Sequence, residues 1–215
     1  HQDYWGIRDR VYSVFGAPGQ FTWEPDEGAQ RSIRYYVESI ELSDPNSQGF
    51  RQYSVSLVCP FPFFSGAQNT IKMSYWKKCM TLPFTMHSPF KVGERVSEQI
   101  KNIYNPQPIS IGIKAVFTAI NGEVANPGLQ NLSTGESFKL DGFLPSGSSM
   151  LVSTLNGQKY AQYLLEESQP FDLWDYQAND WIQLRPGDNL LRYDADSGLE
   201  YLDVSVSYSQ LYLGG

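Results

Sequence analysis

Strand-like alternation dominates the pattern of apolar and polar residues in this chain. In LEYLDVSVSYSQLYLG (199–214) it runs through Leu202, Val204, Val206 and Tyr208. In ISIGIKAVFTA (109–119) it runs through Ile109, Ile111, Ile113, Ala115 and Phe117. A period of two sends successive side chains to opposite faces, as in a half-buried strand. RSIRYYVESIEL (31–42) alternates at Ile33, Tyr35 and Val37, slips by one, and resumes at Ile40 and Leu42. FRQYSVSLVCPFPFF (50–64) sets Tyr53, Val55 and Leu57 on one face. Pro60 and Pro62 then stop the strand, because proline cannot donate to a central ladder.

Turn residues divide the remainder. RDRVYSVFG (8–16) meets the turn APG and is followed by QFTWE (20–24), which predicts a hairpin. With PDEG (25–28) as the next turn, the first four strands form one antiparallel unit. From Ser65 the texture changes, and SGAQNT (65–70) reads as a connector. TLPFTM (81–86) and SPFKVG (88–93) are short strand candidates. SEQIKNIY (97–104) fits a helical turn or a strand, and Ile100, Ile103 and Tyr104 favour the strand. ESFKLDG (136–142), SSMLVST (148–154), QKYAQYL (158–164), DWIQL (180–184) and NLLRYDA (189–195) follow as further strands. Only SQPFDLWDYQAND (168–180) is weakly helical or irregular over any length. Turn signals recur about every ten residues, as in a β-sandwich or jelly roll. The predicted fold class is all-β and mainly antiparallel.

Composition sharpens this. Aromatic residues make up 14% of the 215 residues, which suits pleated half-buried surfaces and interfaces alike. The net charge of −7 and the scatter of the basic residues, with no run longer than Lys77-Lys78, argue against nucleic-acid binding. No apolar run is long enough to span a bilayer, so membrane insertion is not expected. The chain opens on His1 without a basic-then-apolar leader, and we expect a fragment or a processed product. Cys59 and Cys79 would pair if their strands lay side by side; two separate reduced thiols fit two cysteines in this length better.

Reactive chemistry is sparse. After His1 the single histidine is His87, which leaves a Ser-His-Asp constellation open but reads better as a strand-edge surface or packing residue. No GxSxG, HxH, HExxH or EF-hand loop is present. In YDADSGLEYLD (193–203), Asp194-x-Asp196 resembles the start of a calcium loop, yet DADSG equally suits a hairpin turn, and we read it as one. Glu166, Glu167, Asp172 and Asp175 are candidate acids for a cell-wall hydrolase, but nothing in their spacing distinguishes them among 23 acidic residues. GAPG (16–19) lacks the lysine and helix of a phosphate loop. No catalytic residue, metal or cofactor is expected, and the chain reads as a binding or assembly protein rather than an enzyme.

Two stretches invite a ligand. NPGLQNLSTGESFKLDG (126–142) is polar and rich in turn formers. We read it as turns at Pro127-Gly128 and Thr134-Gly135, with Asn126 and Asn131 holding turn backbone and Phe138 and Leu140 pointing one way. Trp174, Tyr176 and Trp181 beside Asn179 and Asp180 form the best local constellation for a glycan, which needs an aromatic platform flanked by polar groups. The competing reading puts Trp181 in the core or at a sheet edge and packs Trp174 against its loop.

RDRVYSVFGAPGQFTWEPDEGAQRSIRYYVESIEL (8–42) followed by FRQYSVSLVCPFPFF (50–64) resembles the later part of the N-terminal domain of siphophage distal tail proteins. GEVANPGLQNLSTGESFKL (122–140), DWIQLRPGDNLLRYDADSG (180–198) and VSVSYSQLYLGG (204–215) resemble later segments of that family, in order. The resemblance implies a structural component of the phage tail tip or baseplate hub, without catalysis, that links the tail tube to the host-recognition apparatus. It implies residues 1–65 as the C-terminal part of a ring-forming domain and 66–215 as a galectin-like β-sandwich. The first part of the family's ring domain is expected to be missing. The full-length protein is therefore expected to form the family's hexameric ring better than this chain does. Other tail-tip, tail-tube or receptor-binding proteins are the implied partners, with a host cell-wall glycan as the alternative ligand. The implied location is the virion tail tip, after assembly in the host bacterial cytoplasm.

Overall fold

The computed structural model describes residues 4–24, 28–43, 52–78, 93–164, 175 and 178–214. The chain divides into two compact units, one of residues 1–67 with 211–215 and one of residues 68–210.

The smaller unit opens with a helix, not a strand. Helix α1 (Tyr4–Phe15) occupies the segment whose turn suggested a hairpin. Arg8, Val11 and Phe15 are its half-buried positions, spaced by three and four, which is the period of one helical face. Phe15 reaches the ring of Tyr35 at 6.4 Å, and Arg8 stacks over Tyr12 one turn on. Gly16 and Pro18 end the helix, and a Cβ at Gly16 would lie 2.5 Å from the Tyr12 carbonyl oxygen. Val11 and Phe15 stand at i, i+4 spacing, which an alternation test does not register.

Strands β1 (Gly19–Trp23), β2 (Arg31–Leu42) and β3 (Tyr53–Val58) follow as an antiparallel set with β2 in the middle. The slip in the apolar pattern of β2 is a β-bulge. Val37 pairs with Leu57 and Ser39 with Ser56, leaving Glu38 unpaired, so the inward face resumes one residue late. Strand β4 (Phe64–Lys72) covers the SGAQNT segment read as a connector, and it bridges to β2 at Ser32 and Ser65. Its polar residues gave no alternation to detect.

The larger unit begins with a pair that the pattern missed, β5 (Ser74–Lys78) against β6 (Gly93–Ser97). TLPFTM, all of SPFKVG except Gly93, His87 and Cys79 lie outside the described residues. Strand β7 (Ile100–Asn105) is extended, as Ile100, Ile103 and Tyr104 predict. The 109–119 run divides into β8 (Ile111–Gly112) and β9 (Lys114–Ala119). Then come β10 (Val124–Ala125), β11 (Gly128–Asn131), β12 (Ser137–Lys139), β13 (Phe143–Leu144), β14 (Ser149–Leu155), β15 (Gln158–Tyr163), β16 (Gln183–Leu184), β17 (Gly187–Asp194) and β18 (Leu202–Tyr212).

Two antiparallel sheets dominate, one ordered β18-β9-β14-β15 and the other β12-β11-β17-β7. Period-two alternation aims Ala115, Phe117, Met150, Val152, Val204 and Val206 inward from the first. The second answers with Leu129, Phe138, Leu191, Tyr193 and Ile103. Phe117 and Phe138 meet edge to face across the two sheets, with ring centroids 6.0 Å apart. DADSG is not a hairpin turn: β17 pairs with β7 and β11 while β18 pairs with β9, so residues 195–201 carry the chain from one sheet to the other. Gly198 takes the left-handed conformation this passage needs, at φ 75°.

Two buried asparagines anchor the second sheet. Asn189 Nδ2 donates to the carbonyls of Arg185, Gly187 and Ile103, and its Oδ1 accepts from Arg185 N and Asn131 Nδ2. Asn131 Oδ1 accepts from Ser133 N and so holds the turn before Gly135, as its sequence position predicts. Cys59 is free and half-buried.

Candidate polar groove on the second sheet

Strand register builds the site. Gly128 of β11 pairs with Lys139 of β12 and Asp194 of β17, and Gln130 pairs with Ser137 and Arg192. Phe138, Leu129 and Tyr193 form the intervening row, and all three are buried. The two rows therefore face away from the core. Between them lies a groove of about 280 Å³, walled by Asn126, Ala195 and Asp196 at one end and by Ala178 and Asn179 beside Lys139.

Hydrogen bonds hold these side chains in place. Lys139 Nζ and Asn126 Nδ2 both donate to the Asp196 carboxylate. Those two bonds, that from Lys139 the stronger, hold the Asp196 carboxyl below the usual carboxylate range. Asn126 Oδ1 accepts from Gly142 N, closing the turn in which Asn126 itself sits at φ 49°. Arg192 donates to Gln130 Oε1 at 2.8 Å, while its buried Nε has no hydrogen-bond partner. Asp194 accepts from Ala195 N.

Asn179 and Asp180 occupy the edge of β12. Asn179 accepts from Lys139 N and donates to Lys139 O, as a strand neighbour would. Asp180 N donates to Ser137 O, and its carboxylate accepts from Ser137 N. Trp181 is half-buried with Lys159 Nζ 5.7 Å from its ring centroid. Trp174 and Tyr176 lie outside the described residues, as do Glu166, Glu167 and Asp172. Asp175 accepts from Ala178 N in a local turn. Of the three described residues among those singled out for a glycan, Asn179, Asp180 and Trp181, Asn179 lines the groove.

The groove is instead lined by the 126–142 stretch, which the turn reading had set aside as punctuation. Both descriptions hold: its asparagines fix turns, and Gln130, Ser137 and Lys139 face outward. Arg192, Asp194 and Asp196 complete it from a stretch more than fifty residues later in the chain. Strand pairing and the side-chain bonds across it join the two stretches. Among the described residues no cluster of three or more His, Cys, Asp or Glu could hold a metal ion, and no helix is long and apolar enough to cross a membrane.

Solved structures share this architecture. The chain overlays on the Dit protein of SPP1, described as a paradigm of the hub adsorption apparatus in phages infecting Gram-positive bacteria. The TM-score is 0.63 at 14% identity, covering 99% of this chain and 74% of that one. The fold resembles that of this hub protein. A chain of the phage P2 baseplate, in its activated conformation with Ca, matches at TM-score 0.54 and 8% identity, covering 100% of this chain and 76% of that one. No family model and no curated protein sequence matches.

Proposed function

We propose that this chain is a structural component of a phage tail-tip hub, linking the tail tube to the host-recognition apparatus without catalysis. The fold likeness to SPP1 Dit over 99% of the chain carries this reading. In this reading residues 1–65 belong to the ring-forming part and 66–215 to a galectin-like outer sandwich. The protein acts at the virion tail tip after assembly in the host cytoplasm, among other copies of itself and other tail proteins.

The surface of the smaller unit supports an assembly role. Among its described residues only Leu211 is buried, at 7% exposure. Phe21 and Tyr36 stand 49% and 52% exposed, and Leu57 and Val58 lie open on β3. Edge strands β1 and β3 carry Phe21, Leu57 and Val58 of this apolar surface and the central β2 carries Tyr36, a combination that favours association with further chains.

Immunogold labelling of virions with antibodies to the chain tests the location. Gold at the tail tip is expected, and gold confined to heads, or its absence from intact and disrupted tails, overturns the reading.

A further inference from the structure

We propose that β7 pairs with the β7 of a second copy of this chain, antiparallel about a twofold axis at Asn102. This does not rest on the hub reading. β7 lies in the larger unit, and the contact sets one surface against itself, whereas a ring repeats unlike surfaces head to tail.

The two edges of the second sheet are treated differently. At β12, residues 179–180 bond to Ser137 and Lys139 and close the edge. At the other side β7 ends the strand order, and among the described strands it pairs with β17 alone. Exposed edges are commonly blunted by a lysine, a proline or a bulge. β7 has no proline, and its register with β17 runs unbroken from Ile100 to Asn105. Its one lysine, Lys101, shares the face of buried Ile103 and bonds to Glu98 and the Lys72 carbonyl.

Ladder parity fixes which backbone groups reach the open edge. Tyr193 N donates to Gln99 O, so Gln99, Lys101, Ile103 and Asn105 direct their backbone groups at β17. Ile100, Asn102 and Tyr104 turn theirs outward. Leu190, opposite Asn102, has the matching parity: its carbonyl accepts from Leu132 N and its N–H donates to Ser133 Oγ, on the side away from β7. The Asn102 side chain is held toward β17 by Asp188 and Asn189 N, so it does not cap the edge.

Register selects the occupant. With Asn102 opposite its own copy, Ile100 of each chain faces Tyr104 of the other, a favourable aliphatic–aromatic pair made twice. Both residues are open on the outer face, at 51% and 61% exposure. Three such residue pairs exchange about six backbone hydrogen bonds. A slip of two residues sets Asn102 against Ile100 or Tyr104 and loses both apolar pairs. Charge agrees with the centred register. Asp188 flanks Tyr104 and Arg192 flanks Ile100, so each row across the joint runs from a carboxylate of one copy to a guanidinium of the other. Lys101 faces Ile103 rather than another lysine. A foreign strand would meet the same backbone groups, but a second copy already carries the apolar residues at the required positions. The joined sheet has eight strands, within the ordinary range.

Sedimentation equilibrium of the full chain, from micromolar to millimolar concentration, tests the proposal. Reversible self-association is expected. Ile100→Lys or Tyr104→Glu alone should weaken it by about tenfold, since each change acts at two symmetric places. The double variant sets opposite charges across both positions and should return to within about threefold of the parent chain. Both positions are exposed, so thermal unfolding of each variant should match the parent. The proposal is overturned if the chain stays monomeric throughout, if the single variants associate like the parent, or if the double variant is no tighter than the single ones. Association that Phe21→Lys abolishes and the β7 variants leave unchanged belongs to the smaller unit, and overturns it too.

Discussion

The two units of this chain obey the same strand chemistry and reach opposite outcomes. The larger one closes two sheets over Phe117, Phe138, Leu191 and Val204, each at most 3% exposed. The smaller one forms comparably long strands and a helix, yet among its described residues buries only Leu211. Alternation makes a strand; it does not supply the second layer that turns a strand face into a core. The difference separates a unit with a closed apolar core from one whose described side chains stay largely exposed.

Core truncation should break the comparison most sharply. Phe117→Ala removes a ring wedged edge-on against Phe138, and its expected cost is about 3–5 kcal/mol in urea unfolding. Ile33→Ala, at a half-buried position of β2, should cost about 1 kcal/mol. Equal costs would mean that the smaller unit has a core of its own.

Next in size is the polar anchor. Asn189→Ala leaves the Arg185 amide without its side-chain acceptor and the Asn131 amide with Gln183 O alone, at an expected cost of about 2–3 kcal/mol. Thermal unfolding measures it, and a neutral result would show that water replaces the amide.

The smallest effect concerns acid. Burial raises the Asp203 carboxyl above its usual value, against the opposing pull of Arg95 and Lys72. Because the folded state holds that proton more tightly than the unfolded chain, the contribution to stability is full below the unfolded pKa. It is lost as pH rises through the raised one. Asp203→Asn should flatten this part of the stability profile of the larger unit, and a persisting slope would assign it to another group.

Much of the fold was legible along the chain, and the reasons are local. Leu202, Val204 and Val206 alternate because one side of β18 is buried, and the bulge in β2 is visible as a one-residue slip before Ile40. Pro60 and Pro62 announce the end of β3 because proline lacks a ladder donor. The misreadings are local too. Helix α1 presents Val11 and Phe15 at helical spacing beneath a strand-like composition, and β4 is polar enough to pass for a connector.

The candidate groove was half legible. The 126–142 stretch drew notice for its density of turn formers and amides, and Asn126 and Asn131 make the turn bonds expected of them. Its opposite wall was legible only in part, because Asp194 and Asp196 drew notice as a pair read as a turn, while Arg192 is unremarkable within its own strand. By itself the sequence determined which residues alternate, where strands stop and which side chains fix turns, since backbone sterics and hydrogen bonding act between near neighbours. Only the tertiary structure decided that β11 lies between β12 and β17. That pairing sets Gln130 beside Arg192 and Gly128 beside Asp194, and a shift of one residue would have turned every one of these side chains into the core.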